Sequence, residues 1–418
     1  MTITKEMEKF LLEDAKKRFL HYVTFDTTSN ENAGTFPSSE KQFDLGKVLA
    51  KELKELGLQN VVLDEFCYVY GDLPASKGYE KSQTIGLIAH MDTSPSESGA
   101  NITPIIHENY DGKPISYSKN SGITLTVEDS PELKKFKGMD IITSSGDTLL
   151  GSDDKAGIAG IMTAAAAWKK YPELTHGPIT VCFTPDEEIG QGTTKIKMER
   201  LPKYCYTLDG GEMGELEIEC FDAWKATITF NGISVHPGYS KNLMVNAIEI
   251  ASRFVAQIPE AETPQHTEKR EGFYHLYQME GNCVTAKTIF ILRDFDKKLN
   301  EKRMTYLTKL KDVFEERYLG LKIDLKFDHS YENMIVYLKE HPQVIEKAAK
   351  AIKQAGLELK ETLIRGGTDG ARLSAKGIPT PNLFAGGILF HSLKEYIPVP
   401  ALQKSAEVVL YLANQWLE

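Results

Sequence analysis

The segment ITVCFTPDEEIG sets three acids in a row, Asp186, Glu187 and Glu188, behind the apolar run Ile179–Phe183. Carboxylates that close repel one another unless solvent or a cation separates them. Comparable residues follow other apolar runs: His90 and Asp92 in TIGLIAHMD, Asp153 and Asp154 in LLGSDDKAG, Asp209 in YTLDGG, and His391 in FAGGILFHSLKE. Taken singly, each has a structural alternative. A histidine after a strand can be a hydrogen-bonded structural residue. SDDKAG is a good helix start, whose acids suit the positive end of the helix dipole. DGG is a turn. Together these acids and imidazoles would be unstable as bare charges at one sheet edge, and one or two divalent cations would neutralise them.

The ligand types select the metal. Imidazoles and carboxylates without cysteine suit zinc, cobalt or manganese better than calcium or a thiolate-zinc structural site. The number of carboxylates points to two metals sharing one bridging acid. Such a pair holds a shared hydroxide and a carbonyl oxygen, the elements of metal-assisted hydrolysis. A further carboxylate is needed to take the proton of the attacking water and pass it to the leaving amine. Of the adjacent Glu187 and Glu188, one can ligate while the other stays free.

The elements that must position these residues follow from periodicity. Ile85–Ala89, PITVCFT and YCYTLD read as buried strands, and DKAGIAGIMTAAAAWKKY as a helix between them, which predicts an α/β domain with a largely parallel sheet. In such a sheet ligands bind beyond the carboxyl ends of the strands. After about Leu216 the pattern changes. LEIECFDAWKATITFNG alternates apolar and polar residues like antiparallel strands with one wet face. Strand, helix and strand then recur around NAIEIASRFVAQI, CVTAKTIFILRDF, KKLNEKRMTYLTKLKDVFEERY and LKIDLKFDH, a small α+β module. Helix–strand alternation returns from about His341 to the last helix, PALQKSAEVVLYLANQWL. The expected organisation is a catalytic α/β domain over 1–214 and 333–418, interrupted by an inserted α+β domain over 215–332.

Bulk composition excludes several classes. The chain has 418 residues, 41% hydrophobic and 26% charged, with a formal net charge of −10. No basic stripe is left to neutralise phosphates, so a nucleic-acid partner is not expected. No stretch approaches the roughly 18 apolar residues of a membrane span, and no membrane partner is expected. Charges interrupt every apolar run of the N-terminus, which reads as an amphipathic helix with Met7, Phe10, Leu11, Ala15, Phe19 and Tyr22 on one face rather than as a signal peptide. The 5 cysteines are scattered without a CxxC pair, as in a reduced cytoplasmic protein. No GxGxxG turn follows the first strands, which argues against a dinucleotide-binding enzyme.

HMD, GSDDKAG, PDEEIG, LDGG and FHSLKE, in that order, resemble the di-zinc M20 metallopeptidases. The resemblance spans nearly the whole chain and is closest to the family's aminotripeptidases, on the segments IRGGTDGARLSAKGIPTPNLFAGGILFHSLKE, YTLDGGEMGELEIECFDAW and LRDFD. It implies a three-layer catalytic domain and an inserted lid domain that often mediates dimers, so a homodimer is expected. It implies two zinc ions, for which cobalt or manganese could substitute. His90, Asp153 and Asp209 would hold one, and Asp153, Glu188 and His391 the other, with Asp153 bridging. Glu187 would be the general base that activates the metal-held water, and Asp92 would orient the imidazole of His90. Asp153 is preferred to Asp154 on the family's motif alone. Asp209, where many of the family's carboxypeptidases and deacylases have Glu, implies action at a free N-terminus.

The resemblance also implies substrate contacts. His236 in SVHPG could stabilise the tetrahedral oxyanion; its structural alternative is a polar turn before a helix. Arg365 in IRGGTDG could clamp the substrate's terminal carboxylate; its alternative is a salt bridge to a neighbouring acid. Arg293 and Asn282 are weaker candidates. The expected activity is removal of the N-terminal residue from tripeptides. The alternatives are another hydrolase of the family (dipeptidase, carboxypeptidase or N-acyl-amino-acid deacylase) and a binding protein that kept the fold without catalysis.

Overall fold

In the computed structural model, which describes residues 1–120 and 122–417, the apolar runs become a mixed sheet with helices packed on it. In chain order the first elements are α1 (Lys5–Tyr22), α2 (Gln42–Leu56), β1 (Gln59–Leu63), β2 (Val69–Leu73), β3 (Ile85–His90), β4 (Ile105–His107), β5 (Ile141–Thr143), α3 (Ser152–Lys170), β6 (Ile179–Thr184), β7 (Tyr204–Gly210) and β8 (Glu215–Cys220). The inserted elements follow: β9 (Asp222–Asn231), α4 (Ala247–Val255), β10 (Phe273–Gly281), β11 (Thr285–Asp294), α5 (Lys297–Arg317) and β12 (Lys322–Tyr331). The chain then returns through α6 (Pro342–Gln354), β13 (Lys360–Ile364), α7 (Asp369–Ala375), β14 (Asn382–Phe384), β15 (Tyr396–Pro398) and α8 (Val399–Gln415).

Two units result. The first comprises Met1–Ile218, Tyr337–Thr362 and Thr368–Glu418; the second comprises Glu219–Val336 and the short return segment Leu363–Gly367. The first unit carries an 8-stranded sheet in the order β1-β2-β6-β3-β7-β14-β8-β13. Its middle pairs, β6 with β3, β3 with β7 and β7 with β14, are parallel, as expected from the strand–helix alternation. Flanking pairs β1 with β2, β2 with β6 and β8 with β14 are antiparallel. Every residue of β3 and of β6 is buried, so these strands read as continuous apolar runs. The small residues of α3 let it pack directly on the sheet. A Cβ on Gly157 would lie 2.0 Å from the Leu208 carbonyl oxygen of β7. The N-terminal helix α1 buries Met7, Leu11, Ala15, Phe19 and Tyr22, and Thr4 caps it by accepting from the Met7 amide at 3.3 Å. A separate sheet, β15-β5-β4, had no counterpart in the expectation. Its strands are three-residue runs (IIH, IIT, YIP), too short for periodicity to register.

The second unit is an antiparallel sheet, β10-β11-β9-β12. Ala226, Ile228 and Phe230 alternate inward along β9, and join Phe254 of α4, Phe290 and Leu292 of β11, and Leu307 and Phe314 of α5 in one core. The alternation expected of one wet face is therefore present in the strand itself.

Candidate metal centre and active site

Parallel pairing brings the ends of β3 and β6 level, with His90 opposite Thr184. The loops that leave the two strands therefore run side by side. Asp92, fully buried, fastens them: its Oδ1 accepts from the Glu187 amide at 2.9 Å and its Oδ2 from the Glu188 amide at 3.1 Å. Asp186 turns the chain with a left-handed φ of 55° and faces the other way. Its carboxylate accepts from the Ser38 amide (2.6 Å), the Ser38 hydroxyl (2.5 Å) and Gln42 Nε2 (2.6 Å) at the start of α2. The three consecutive acids thus do not crowd one space, because neutral donors take up the first.

Asp153 stands between the two histidines. Its Oδ1 lies 2.8 Å from His90 Nε2 and its Oδ2 lies 3.0 Å from His391 Nε2. Asp209 Oδ1 approaches His90 Nε2 at 3.3 Å, and Glu188 Oε2 approaches His391 Nε2 at 2.9 Å. Two triads therefore share one carboxylate, one oxygen to each. Asp154 is occupied otherwise: its Oδ2 accepts from the His90 amide at 3.1 Å and its Oδ1 from the Gly157 amide at 3.2 Å. His90 Nδ1 lies 3.0 Å from the Asp92 carbonyl oxygen and 3.4 Å from its carboxylate. The backbone carbonyl is thus the nearer acceptor for the imidazole, and the carboxylate of Asp92 serves mainly the two glutamate amides.

The electrostatics are those of acids short of positive charge. Burial, with the charge of Asp153 added, pushes the Glu188 carboxyl up to about 8. Burial pushes Asp209 to about 7. Glu187 is driven well above the usual range by burial and then by the charges of Asp209 and Asp369. Burial alone would lower His391, but its hydrogen bonds to Asp153 and Glu188 hold it up at about 11. Burial likewise opposes the charge on Asp153, and the two imidazoles outweigh it and keep that carboxyl low.

These residues fit divalent cations. Ligand atoms of His90, Asp153 and Glu188 lie within 4.8 Å of one another, as do those of His90, Asp154 and Asp209. Glu188 Oε1 is buried without a hydrogen-bond donor. A tetrahedral ion with bonds of about 2.0–2.2 Å holds its ligand atoms roughly 3.3 Å apart, so contacts of 2.8–3.3 Å need only a small outward shift.

Comparison with known proteins gives this centre its family. A sequence model of peptidase family M20/M25/M40 matches residues 150–415, which include Asp153, Glu187, Glu188, Asp209 and His391. The chain belongs to this peptidase family. A relative named peptidase T, from Halothermothrix orenii, is 48% identical over 94% of this chain and 96% of its own. The crystal structure of aminopeptidase PepT from Bacillus cereus superposes with a TM-score of 0.75 at 25% identity, covering 97% of this chain and 98% of that one. That of a tripeptidase from Staphylococcus aureus superposes with a TM-score of 0.74 at 22% identity, over 96% and 97% of the two chains.

This M20 peptidase also places residues at its centre that sequence reasoning did not single out. Asp369, at the start of α7, is 2% exposed; its Oδ2 accepts from the Thr184 hydroxyl at 2.8 Å, and its Oδ1 has no hydrogen-bond donor. Burial raises this carboxyl to about 6. Its signal in the sequence is the acid that follows the glycine pair in IRGGTDG, four residues after Arg365. Lys155 of the SDDKAG motif is wholly buried, donates to the Phe25 carbonyl at 2.7 Å, and is lowered to about 7 by burial. Asn382 of β14 accepts from the Asp209 amide at 2.9 Å and donates to Glu217 at 2.5 Å, setting the backbone of a ligand from the neighbouring strand.

The two residues expected to touch substrate lie in the second unit. His236 is exposed, and its Nδ1 accepts from the Gly238 amide at 3.1 Å, capping a short turn. Arg365 lies in the return segment. Its Nη1 donates to the carbonyls of Lys269 (2.7 Å) and Glu271 (2.9 Å), its Nη2 to the carbonyl (3.3 Å) and hydroxyl (3.0 Å) of Thr267, and it stacks over Phe221 at 5.1 Å. Its partners here are neutral acceptors rather than an acid.

Proposed function

We propose that this chain is a zinc-dependent aminopeptidase that removes the N-terminal residue of tripeptides. The observation that carries the reading is the shared carboxylate of Asp153, one oxygen on each histidine, with Glu187 close enough to His90, Asp209 and Glu188 to feel their charges. His90, Asp153 and Asp209 would hold one Zn²⁺, and Asp153, Glu188 and His391 a second; Co²⁺ or Mn²⁺ suits the same donors. When bound, the metal pair polarises the scissile carbonyl and makes water nucleophilic near neutral pH. Glu187 accepts the proton of the attacking water and delivers it to the leaving amine. The bonds of Asp92 to the Glu187 and Glu188 amides, which tether this carboxylate next to a proposed ligand, support both steps. Asp92 holds the amides of Glu187 and Glu188, so the base and the ligand keep their spacing. His236 donates to the oxyanion, and Arg365 binds the tripeptide's C-terminal carboxylate. In doing so Arg365 exchanges neutral carbonyl acceptors for a charged, bidentate one, which favours the exchange.

The relatives named peptidase T and aminopeptidase PepT, and the tripeptidase from Staphylococcus aureus, support the substrate class. The inserted unit serves as lid and as the contact of a homodimer. The five cysteines, four buried and one half-buried, form no disulfide, which supports a cytoplasmic location. No helix among the described residues is long and apolar enough to cross a membrane.

A dipeptide, a tripeptide, a tetrapeptide and an N-acetylated tripeptide, each assayed after chelation and after zinc add-back, test the reading. Metal-dependent cleavage of the free tripeptide alone is expected. Cleavage of the blocked peptide would instead indicate a deacylase, and cleavage of the dipeptide a dipeptidase. No cleavage by a metal-loaded sample would favour a binding protein.

A further inference from the structure

The first residues of α3 lack a cap of their own. Gly151 stands at the N-cap with φ 75° and no side-chain acceptor, and Asp153 and Asp154 depart from helical geometry. Their amides are satisfied from far along the chain, by one carboxylate. Glu395 Oε2 accepts from the amides of Leu150 (2.7 Å) and Gly151 (2.9 Å). Its Oε1 accepts from the amide (2.7 Å) and hydroxyl (2.5 Å) of Ser152 and from the Asp153 amide (3.3 Å). Glu395 is 1% exposed and lies on the short loop that runs from His391 into β15. Gly387 allows this loop its approach, since a Cβ there would stand 2.3 Å from Ser152 Oγ. One loop therefore reaches Asp153 twice. Glu395 holds its backbone, and His391 Nε2 meets its carboxylate at 3.0 Å.

We propose that Glu395 is a positioning residue for the metal pair: by holding the 150–153 turn, it fixes Asp153 so that its two oxygens face His90 and His391 at the same time. The inference rests on the reading of Asp153 as the shared ligand. Its physical basis is the count of donors. Five N–H and O–H groups converge on two oxygens, and an ionised carboxylate is the one side chain of this size that can only accept. A glutamine there would turn its NH₂ toward two of the amides, leaving them unsatisfied and forcing the turn to move. Glu395 does not itself touch the ligand atoms, so its effect is on their direction.

The test strips the full-length chain of metal and titrates it with Co²⁺. Visible absorption reports the number of sites and their geometry, and competition with a chromogenic chelator gives affinity. Relative to the parent, Glu395→Gln is expected to bind Co²⁺ roughly 10–100-fold more weakly, with a changed spectrum, as when partners behind metal ligands are lost in general. A role in capping α3 alone would lower the metal-free Tm but leave affinity and spectrum at parental values below the transition, and that result overturns the proposal. Should Glu395→Gln not fold, Ser152→Ala decides. It removes one bond to Oε1 and keeps every amide, and parental Co²⁺ affinity in it likewise overturns the proposal. A parent chain that takes up no Co²⁺ would fail differently, refuting the metal centre and this proposal with it.

Discussion

The two histidines that meet Asp153 are held by different means. His90 ends a central strand, has a side chain only 2% exposed, and is placed by sheet register and by the carbonyl of Asp92. His391 lies in a loop at a left-handed φ of 59°, with a side chain 43% exposed. The inner half of the centre inherits its geometry from backbone pairing. The outer half depends on one loop. If these residues hold two cations as proposed, the contrast predicts that the inner one is held more tightly and the more exposed outer one exchanges more readily.

Asp153→Ala strikes both halves and carries the largest expected effect. Both metal equivalents should be lost, and tripeptide turnover should fall by more than the roughly 10⁴-fold a general base supplies; metal analysis alongside the assay checks it. Glu187→Gln strikes neither half. It should retain parental metal content while kcat drops by about 10²–10⁴-fold, and loss of metal in this variant would make Glu187 a ligand instead. His391→Ala and His90→Ala separate the halves. The first should leave one cation tightly bound. The second should also destabilise the metal-free protein by about 1–3 kcal/mol, the range for a vacated buried side chain. Equal behaviour of the two in calorimetry would erase the comparison.

The smallest effect concerns Glu217, on the strand beside Asn382. Burial, with the charges of Glu215 and Asp209, raises this carboxyl from 4.5 to about 8. Between those values the folded protein keeps a proton that the unfolded chain has released. Stability therefore falls as pH rises across the interval and levels off above it. Glu217→Gln should flatten that slope. Its Tm relative to the parent should be higher at pH 8 than at pH 5, by a modest amount because the residue is partly exposed.

Much of the centre was legible because it follows simple patterns. His90, Asp209 and the acids at 186–188 each end or follow an apolar run, and a parallel sheet brings such ends to one edge. The inserted unit was legible from its switch to alternating strands. Other features have no local pattern. Nothing near SDDKAG distinguishes Asp153 from Asp154 without the resemblance, and the structure separates them through backbone amides that only Asp154 receives. Asp369 and Lys155 carry ordinary identities in the sequence and become unusual through burial. Arg365 reads as a clamp for a carboxylate or as half of a salt bridge, and only folding surrounds it with the carbonyls of Thr267, Lys269 and Glu271.

By itself the sequence determined which chemical groups are present and which elements carry them, since residue type and periodicity are local properties. Tertiary structure decided which oxygen faces which imidazole, which acid is turned away toward Ser38 and Gln42, and which carboxylate, that of Glu395, holds the start of α3 from the far end of the chain. Those outcomes depend on buried hydrogen bonds between segments distant in sequence, and a buried donor takes whatever acceptor the packing brings to it.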